Sequence, residues 1–467
     1  MATAASEAAP SSSSDNDDFS WRLLEGANIH ARREHARVAL WPSTGDRARP
    51  PPPKRSFLDI DEVETFARDN GIKKNTLRLC YRELFRRGQS SFEHTPDVSA
   101  RDMKLLKDNF TVCTSEVVET KTTEDGSGAK MVVKLHDGKL IETVVIGHSR
   151  SKDGDAGAGA PASDGGDAEK DGKVFRNTVC VSSQVGCAMG CTFCETGTLG
   201  LLANLTAGEI CEQVWHARNL CGKTGVRNVV MMGMGEPLDN YEEVLIALRA
   251  MTHQAVFDMR QRSVTVSTVG VPSSIRKLAD DAPNVGLALS LHAPTQELRA
   301  QLLPSASGTA HTLGRLSESL KYHRRLSGRG AMIEYIVIDG VNDSPTHARD
   351  LGELVGRTLL QDDESEVAGS NSLGGEGEGK GKGRRRREQS GYFVNLIPYN
   401  PTDVGSTHGY ESPADEALER MAAILTEEYG VKAKVRWSTR RGREVDGACG
   451  QLALKSMRKE EEEESVA

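Results

Sequence analysis

Four cysteines lie within fifteen residues in the stretch CVSSQVGCAMGCTFC, and this cluster constrains the chain more than any other feature. Cys187, Cys191 and Cys194 have the spacing C-x3-C-x2-C, and Cys180 precedes them. The chain has nine cysteines, an odd number that is clustered rather than spread as in a disulfide framework. Such clustering is typical of metal binding or catalysis in a reducing compartment.

The C-x3-C-x2-C spacing indicates a metal centre with three thiolate ligands. Closed zinc sites usually take four ligands in two C-x2-C-like pairs, and no second pair is present. A [4Fe-4S] cluster held by three cysteines leaves one iron open to bind a small molecule. We therefore predict this cluster at Cys187, Cys191 and Cys194. Three buried structural cysteines or a zinc site are the alternatives.

The composition predicts a globular intracellular protein. Of the 467 residues, 37% are hydrophobic and 27% are charged, which is enough to bury a sizeable core. The chain has no run of about 18 apolar residues and no short apolar segment after Met1, so we predict neither a spanning helix nor a secretion signal. The net charge of −8 does not favour a nucleic-acid binder, but a run of glutamates at 460–464 accounts for part of it. A basic face on the folded part is therefore compatible with the composition.

The N-terminal third divides into three segments. Residues 1–55 are rich in Ala, Ser and Pro, which predicts a disordered leader. Residues 56–110 carry apolar residues at three- and four-residue spacing, which predicts a helical accessory module. Residues 111–150 contain an alternating apolar pattern that turns at Asp137-Gly138, which predicts a β-hairpin with Glu142 on its second strand.

Strand-like and helical segments alternate through residues 173–455, which we interpret as a single catalytic domain. The strand-like runs include VRNVVMMG, SVTVST, VGLALSLH and AMIEYIVIDG. Their alternation with helices predicts an α/β fold with a parallel sheet, open or barrel-like, and active loops at the carboxyl ends of the strands. Low-complexity insertions at 151–172 and 362–390 are predicted to be mobile loops, and residues 456–467 form an acidic tail.

Seven motifs occur in order: CVSSQVGC, MMGMGEPLDN, VTVSTVG, LALSLHAP, IEYIVIDGVND, NLIPYNP and GACGQL. Together they resemble the RlmN/Cfr family of radical S-adenosylmethionine RNA adenosine methyltransferases, over residues 130–455 apart from the insertions. The resemblance implies a partial (β/α) barrel of the radical SAM type, with a [4Fe-4S] cluster and S-adenosyl-L-methionine as cofactors. It also places residues 56–110 where the family has its RNA-binding domain.

The resemblance implies a mechanism that uses two cofactor molecules and a protein thiol. Adenine C2 is electron-poor, so simple attack on the sulfonium methyl group cannot methylate it. Cys449 in GACGQL would take a methyl group by nucleophilic displacement, and a radical from a second cofactor molecule would then activate this methyl group for addition to the base. The family match gives Glu142 as the base for the substrate proton and Cys180 as the thiol that releases the covalent adduct.

The same match assigns seven residues to the cofactor. Gly235 and Glu236 would contact its amino group. The residues implied around its ribose, adenine and carboxylate are Ser267, Ser290, Leu291, His292 and Asn400.

Alternative functions remain open. Cfr-like members methylate adenine C8, and TLGLLANLTAGEI resembles them, whereas CVSSQVGC and MMGMGEPL resemble RlmN and favour C2. A non-catalytic RNA-binding or assembly factor is a further alternative, against which the complete set of motif cysteines argues. Methylthiolation is another alternative, but it would need a second set of three cluster cysteines, and none is present at suitable spacing. Glu195 stands where the relatives carry a small residue, which puts the cofactor pocket and the substrate choice in doubt.

We expect RNA as the macromolecular partner, either large-subunit ribosomal RNA, transfer RNA or both. Arg440, Arg441 and Arg443 are candidate phosphate contacts near Cys449. An electron donor such as flavodoxin or ferredoxin is expected, together with a monomeric state and no membrane contact. The cytoplasm is the expected location; a plastid or mitochondrion is the alternative because the Ala/Ser-rich start partly resembles a transit segment.

Overall fold

The computed structural model describes residues 49–124, 126, 128–150, 168–170, 173–222, 225–360 and 391–437. Three helices form its N-terminal unit. They are α1 (Ile60–Asp69), α2 (Lys74–Phe85) and α3 (Ala100–Asn109), and a short parallel pairing of β1 (Arg55–Ser56) with β2 (Phe110–Thr111) closes the unit. The side chains of Asp59 and Ser99 cap α1 and α3 by accepting backbone N–H groups. The predicted helices are therefore present.

The end of the predicted leader differs from the expectation. Arg49 lies against the folded domain, where its guanidinium contacts Asp137 and Glu209 at 2.6 Å each. These contacts connect three segments that are far apart in sequence, so composition alone could not reveal them. Residues 49–55 thus belong to the ordered structure, and residues 1–48 lie outside the described residues.

Eleven of the described strands form one sheet. The strands after β2 are β3 (Glu116–Thr122), β4 (Gly128–Lys134), β5 (Leu140–Arg150), β6 (Ala168–Lys170), β7 (Lys173–Cys180), β8 (Gln184–Gly186), β9 (Leu201–Asn204), β10 (Val226–Met231), β11 (Val264–Thr268), β12 (Gly286–Ser290), β13 (Met332–Val337), β14 (Phe393–Pro398) and β15 (Lys432–Val435). The sheet order is β15-β14-β13-β12-β11-β10-β7-β5-β4-β3, and β6 also pairs with β7. The short strands β8 and β9 form a separate hairpin.

The sheet is parallel from β7 to β15 and antiparallel from β3 to β7. The predicted hairpin is present as β4 and β5, and it continues the barrel sheet because β5 pairs with β7. Strand β3 adds a third antiparallel member to the hairpin. Because all of its residues are exposed, it has no apolar alternation from which the sequence could predict it. Strand β6 lies inside the predicted insertion 151–172, and the rest of that insertion is outside the described residues, as are residues 361–390.

Helices alternate with the parallel strands as the sequence predicted. They are α4 (Glu195–Thr198), α5 (Ala207–Cys221), α6 (Tyr241–Thr252), α7 (Pro272–Asp281), α8 (Gln296–Leu302), α9 (Leu313–Ser327), α10 (Pro345–Gly352), α11 (Asp403–Thr407) and α12 (Asp415–Glu427). Short 3-10 turns occur at Gln261–Ser263, Pro304–Ser307 and Thr309–His311, and a π turn at Glu353–Thr358 follows α10. None of the described helices combines the length and apolar character needed to cross a bilayer.

The strand register separates a helix-covered outer face of the sheet from an inner face. Apolar outer residues such as Val179, Val266 and Ile333 are fully buried. Each of them pairs in register with an apolar residue of a neighbouring strand. On β5, Thr143 also faces outward because its hydroxyl donates to Gln213 of α5, with an O···O distance of 3.0 Å. Side chains alternate along a strand, so the neighbours of these residues line the inner face.

Candidate active site

The candidate site lies at the carboxyl ends of the parallel strands. Cys180 ends β7, and the predicted cofactor residues Ser267 and Ser290 stand near or at the ends of β11 and β12. Gly235 follows β10 and Asn400 follows β14. Ligand sites of open and barrel-like α/β sheets form at this edge. The structure therefore brings together residues that are separated by up to 220 positions in the sequence.

The cysteine loop, defined as residues 187–194, crosses this edge between β8 and α4. Its first residue is fixed by a hydrogen bond from the Cys187 N–H to the Gly200 carbonyl oxygen at 2.8 Å, and Cys194 is the N-cap of α4. Gly190 adopts φ +64°, a left-handed conformation that glycine adopts without steric cost and that turns the chain back between two of the cysteines. The phenyl ring of Phe193 contacts the His292 ring edge-on, with centroids 5.0 Å apart.

The three loop cysteines are half-buried, and their thiols are near enough to affect one another's pKa. Burial raises the pKa of Cys187 to about 12, and the nearby Cys194 and Glu236 add to the effect. Burial also raises the pKa of Cys191 well above its ordinary value, with further contributions from both neighbouring thiols. Thiolates gathered in such a site need a strong positive charge to be stable, and bound metal supplies it. The donor set therefore fits an iron-sulfur cluster.

The spacing of the loop thiols also fits a cluster better than a single ion. Among the described residues, only Cys113, Glu212 and His216 bring three ligand atoms within 4.8 Å of one another, so the loop sulfur atoms are spaced more widely. A tetrahedral zinc with Zn–S bonds of about 2.3 Å would hold its sulfur atoms only about 3.8 Å apart. In an iron-sulfur cluster, in contrast, each cysteine binds a different iron.

The group of Cys113, Glu212 and His216 has an explanation without a metal. The Glu212 carboxylate accepts hydrogen bonds from the N–H groups of Thr114 and Ser115 at 2.9 Å, and from the Ser115 hydroxyl at 2.5 Å. The same hydroxyl lies 3.1 Å from Nε2 of His216. This network attaches the chain between β2 and β3 to α5. Cys113 is partly buried and packs against the hydrophobic core.

The GMGEP loop after β10 is pressed against residues 181–184. Gly235 has φ +101°, and a Cβ atom at this position would lie 2.5 Å from Cβ of Gln184. The loop is held by hydrogen bonds from Ser183 N–H to the Met234 carbonyl oxygen and from Glu236 N–H to Oε1 of Gln184, both 2.8 Å. Only glycine permits this close backbone approach, which brings the loop beside the cysteine loop.

Glu236 is buried in this loop. Its carboxylate accepts the N–H groups of Leu238 at 2.9 Å and Val269 at 2.8 Å. Burial raises the pKa of Glu236 to about 7, although these hydrogen bonds oppose the shift. The carboxylate joins the loops that follow β10 and β11. Its contact with the cofactor amino group stays a prediction.

The segment Ser290 to His292 turns sharply where β12 ends. Ser290 lies on the inner face, where its hydroxyl is 3.5 Å from that of Ser267, and the buried Leu291 donates its N–H to the Glu334 carbonyl oxygen at 3.0 Å. His292 has φ +59°, which is unusual for a residue other than glycine. The Ile336 N–H donates to its Nδ1 at 3.0 Å, which leaves the proton of the neutral ring on Nε2.

Glu142 and Cys180 lie on adjacent strands with their side chains on the same face. Cys180 pairs with Val144 on β5, and Glu142 is two positions from Val144. Both side chains therefore point to the inner face, and such diagonal neighbours are about 7–8 Å apart. The carboxylate of Glu142 lies 3.9 Å from Nζ of Lys130, and both side chains are buried. The Ser182 hydroxyl donates to the Glu142 carbonyl oxygen at 2.7 Å, which fixes the strand locally.

Three inner-face residues were not found by the sequence analysis. Glu334 pairs in register with Ser290 on one side and with Asn395 on the other. Asn395 donates to Glu334 at 2.7 Å and accepts from Nε of Arg436 at 2.8 Å. Glu334 in IEYIVIDG, Asn395 in YFVNLIPYN and Arg436 in VKAKVRW are identified as inward-facing once the strand register is known. Cys449, the predicted methyl carrier, lies outside the described residues.

Comparison with known proteins identifies the family. Residues 181–351 match the model of the radical SAM superfamily. A probable dual-specificity RNA methyltransferase RlmN from Salinibacter ruber is 34% identical over 394 residues, which cover 84% of this chain and 91% of that protein. This chain belongs to the RlmN family. The ribosomal RNA large subunit methyltransferase N of Nitrosopumilus maritimus is also 34% identical, over 73% of this chain and 82% of that protein.

A solved structure agrees with this assignment. The crystal structure of a radical SAM methyltransferase from Sphaerobacter thermophilus has a TM-score of 0.67 and 31% identity, covering 85% of this chain and 99% of that one. The predicted partial barrel of the radical SAM type is confirmed. As a member of the RlmN family, the protein uses a [4Fe-4S] cluster and S-adenosylmethionine, and the three thiols of the cysteine loop fit this cluster.

Proposed function

We propose that this protein methylates C2 of an adenosine in structured RNA, with large-subunit ribosomal RNA, transfer RNA or both as substrates. The observation that carries the proposal is the common inner face of Glu142 and Cys180, at the same edge of the sheet as the cysteine loop. A base and a thiol beside a cluster site are what the two-thiol reaction requires. The names of the relatives support RNA as the methyl acceptor.

The bound cofactors supply the methyl group and the radical chemistry. Cys449 is the methyl carrier in this proposal, an assignment that rests on the GACGQL motif. Its thiolate is the nucleophile that accepts a methyl group, and it holds the target carbon covalently until release. Gly235, Glu236, Ser267 and Asn400 are proposed to hold S-adenosylmethionine at the strand ends, together with the segment Ser290 to His292.

Glu142 and Cys180 complete the reaction in the proposal. Glu142 removes the proton from adenine C2, and the buried ammonium of Lys130 at 3.9 Å stabilises the negative charge that a base must carry. Cys180 then attacks the sulfur of Cys449, so that an S–S bond forms as the S–C bond to the RNA adduct breaks. The released carbon keeps the electron pair of that bond and takes up a proton to become the methyl group, and the two cysteines remain as a disulfide. The target base must leave its stack to reach this inner face, which favours an unpaired or flipped adenosine.

Nucleoside mass spectrometry tests the proposal. Anaerobically reconstituted protein is incubated with ribosomal RNA and transfer RNA transcripts, a reductant and S-adenosylmethionine with a deuterated methyl group. We expect labelled 2-methyladenosine, and none with Cys187→Ala. If 8-methyladenosine is the only product, the Cfr-like alternative is correct; if RNA is bound without any methylation, the protein is a binding or assembly factor. An electron donor such as flavodoxin or ferredoxin, a monomeric state and a cytoplasmic location complete the proposal.

A further inference from the structure

The last strand of the barrel carries three cations on one face. Lys432, Lys434 and Arg436 alternate with Ala433 and Val435, so their side chains share one side of β15 and its extension. Lys432 and Lys434 are exposed, and Arg436 is half-buried. We call these three residues the basic strand face.

The basic strand face looks into the barrel. Lys434 pairs in register with Asn395, which pairs with Glu334, which in turn pairs with Ser290 of the candidate site. Partners in register point to the same side of a sheet. On the opposite side, Val435 is buried where α12 covers β15. The three cations therefore line the inner face at the open edge of the sheet, and Arg436 is the one nearest the carboxyl ends.

Arg436 is held in a defined position. Its Nε donates to Oδ1 of Asn395 at 2.8 Å, and Nδ2 of Asn395 donates to Glu334 at 2.7 Å. Its backbone N–H donates to the Leu396 carbonyl oxygen at 2.8 Å. A guanidinium that is oriented in advance loses little side-chain entropy when it binds an oxyanion, and its fork of N–H donors matches a phosphate.

The two lysines are not explained by ion pairing within the fold. Neither of them forms an ion pair with a carboxylate of the described residues. Lysine on an edge strand discourages pairing with another sheet, and this role explains why a lysine is present on β15. It does not explain why both lysines share the inner face with the oriented Arg436. A row of cations 6–7 Å apart along a strand (two residues at about 3.3 Å each) instead presents successive positive charges, as a surface that binds a polyanion such as a nucleic-acid strand does.

We propose that the basic strand face binds the phosphodiester backbone of the RNA strand that carries the target adenosine. This inference rests on the proposed function, since it assigns the RNA contact of the same site. Arg436 takes the phosphate nearest the flipped adenosine, and Lys434 and Lys432 follow the strand along the open edge of the barrel. Contacts of this kind position the substrate without reading its sequence.

The salt dependence of RNA binding tests the proposal. Fluorescence anisotropy of a labelled RNA hairpin with an unpaired adenosine is measured with the reconstituted protein at several salt concentrations. Each phosphate contact adds about 1 to the slope of log K against log salt. Lys434→Gln should reduce the slope by about 1, and Lys432→Gln with Lys434→Gln by about 2. Arg420→Gln is the matched control, because Arg420 is exposed on α12, which covers the outer side of β15.

Two further measurements separate the inference from the proposed function. The lysine variants should still form 5′-deoxyadenosine at the wild-type rate without RNA, since neither lysine belongs to the cofactor site. An unchanged salt slope in the double lysine variant, or an equal reduction of the slope in Arg420→Gln, would overturn the inference. The proposed function would still stand in that case if the wild-type protein methylates RNA. A wild-type protein that neither binds nor methylates RNA would overturn both. Arg436→Lys keeps the charge but loses the guanidinium fork and the Nε bond to Asn395, so we expect it to bind RNA more weakly than the wild type and more tightly than Arg436→Gln.

Discussion

Glu195 accepts a hydrogen bond from the backbone N–H of Val404, with an N···O distance of 3.0 Å. The adjoining contact from the Thr402 hydroxyl to the Phe193 carbonyl oxygen, at 3.3 Å, joins the same two segments. These bonds attach the cysteine loop to the chain that carries Asn400. The glutamate that departs from the family pattern therefore links a predicted cluster ligand with a predicted cofactor ligand.

Glu195→Ala should loosen this link without abolishing the cluster. The Val404 N–H would lose its acceptor, which costs about 1 kcal/mol of unfolding free energy. We expect weaker binding of S-adenosylmethionine, measured by calorimetry under anaerobic conditions, with the iron content unchanged. Glu195→Gln keeps a carbonyl acceptor and should restore most of the affinity. Equal affinity in the alanine variant and the wild type would show that the link does not position the cofactor site.

The cysteine loop should account for all bound iron. Cys187→Ala removes one cluster ligand, so we expect it to lose the iron, the iron-sulfur absorbance and the cleavage of S-adenosylmethionine. Cys211→Ala is the matched control, because Cys211 is fully buried in α5, away from the loop, and only packing is changed. Stoichiometric zinc with no iron in the wild type would contradict the assignment.

The sequence was sufficient for those features that have local signals. The apolar periods indicated the helices and the parallel strands, and the C-x3-C-x2-C spacing predicts the cluster ligands, an assignment that stays a prediction. Asp137-Gly138 gave the turn between β4 and β5, which placed Glu142 correctly on β5. Each of these signals depends on residues that are close in the chain.

Features that depend on strand register or on distant contacts could not be predicted in the same way. Glu334 and Asn395 are aligned only because β13 and β14 pair in one register, and a shift by one residue would turn them to opposite faces. Arg49 was assigned to the leader because its partners Asp137 and Glu209 are 88 and 160 residues away. The family resemblance supplied the roles of Glu142 and Cys180, and the register supplied their common face.

Gly235→Ala should destabilise the GMGEP loop by steric overlap. The new Cβ would lie 2.5 Å from Cβ of Gln184, in a backbone conformation with φ +101°. Gly138→Ala is the control, since Gly138 has φ +85° but no atom within 4 Å of the added Cβ. Strain alone costs about 1–3 kcal/mol, so Gly235→Ala should lose more than Gly138→Ala in urea unfolding. Equal losses would mean that the close approach to Gln184 is easily relaxed.

His292 should make the fold sensitive to mild acid. Burial and then the charge of Arg299 lower the pKa of His292 to about 3, from 6.5 for an ordinary histidine. Below pH 6.5 the unfolded chain binds a proton that the folded chain excludes, so stability falls by about 1.4 kcal/mol per pH unit. Above pH 6.5 the effect is absent.

The variant His292→Asn tests this pH dependence. Asparagine tolerates the left-handed backbone at φ +59° and offers an oxygen to the Ile336 N–H. Between pH 6.5 and 5 the wild type should lose about 2 kcal/mol more than the variant in urea unfolding. His408→Asn, which removes an exposed imidazole, should change nothing. Parallel pH profiles of wild type and His292→Asn would contradict the prediction.

Cys180 and Cys449 should fail in opposite ways when each is replaced by alanine. Cys449→Ala lacks the methyl carrier, so we expect no covalent RNA adduct and no methyl transfer, although S-adenosylmethionine is still cleaved. Cys180→Ala keeps the carrier but lacks the thiol that attacks its sulfur, so the reaction should start and then stop with RNA joined to the protein. A denaturing gel should show this adduct as a nuclease-sensitive band shift.

The geometry of the strand pair makes the Cys180 prediction specific. Cys180 points to the inner face beside Glu142, so its loss leaves the base in place and the adduct should form without being released. Cys221→Ala is the control, because Cys221 ends α5 outside the site and its variant should turn over normally. Wild-type turnover in Cys180→Ala, or the same adduct in Cys449→Ala, would contradict the roles proposed for the two thiols. The absence of any adduct in Cys180→Ala would place its role before carbon–carbon bond formation.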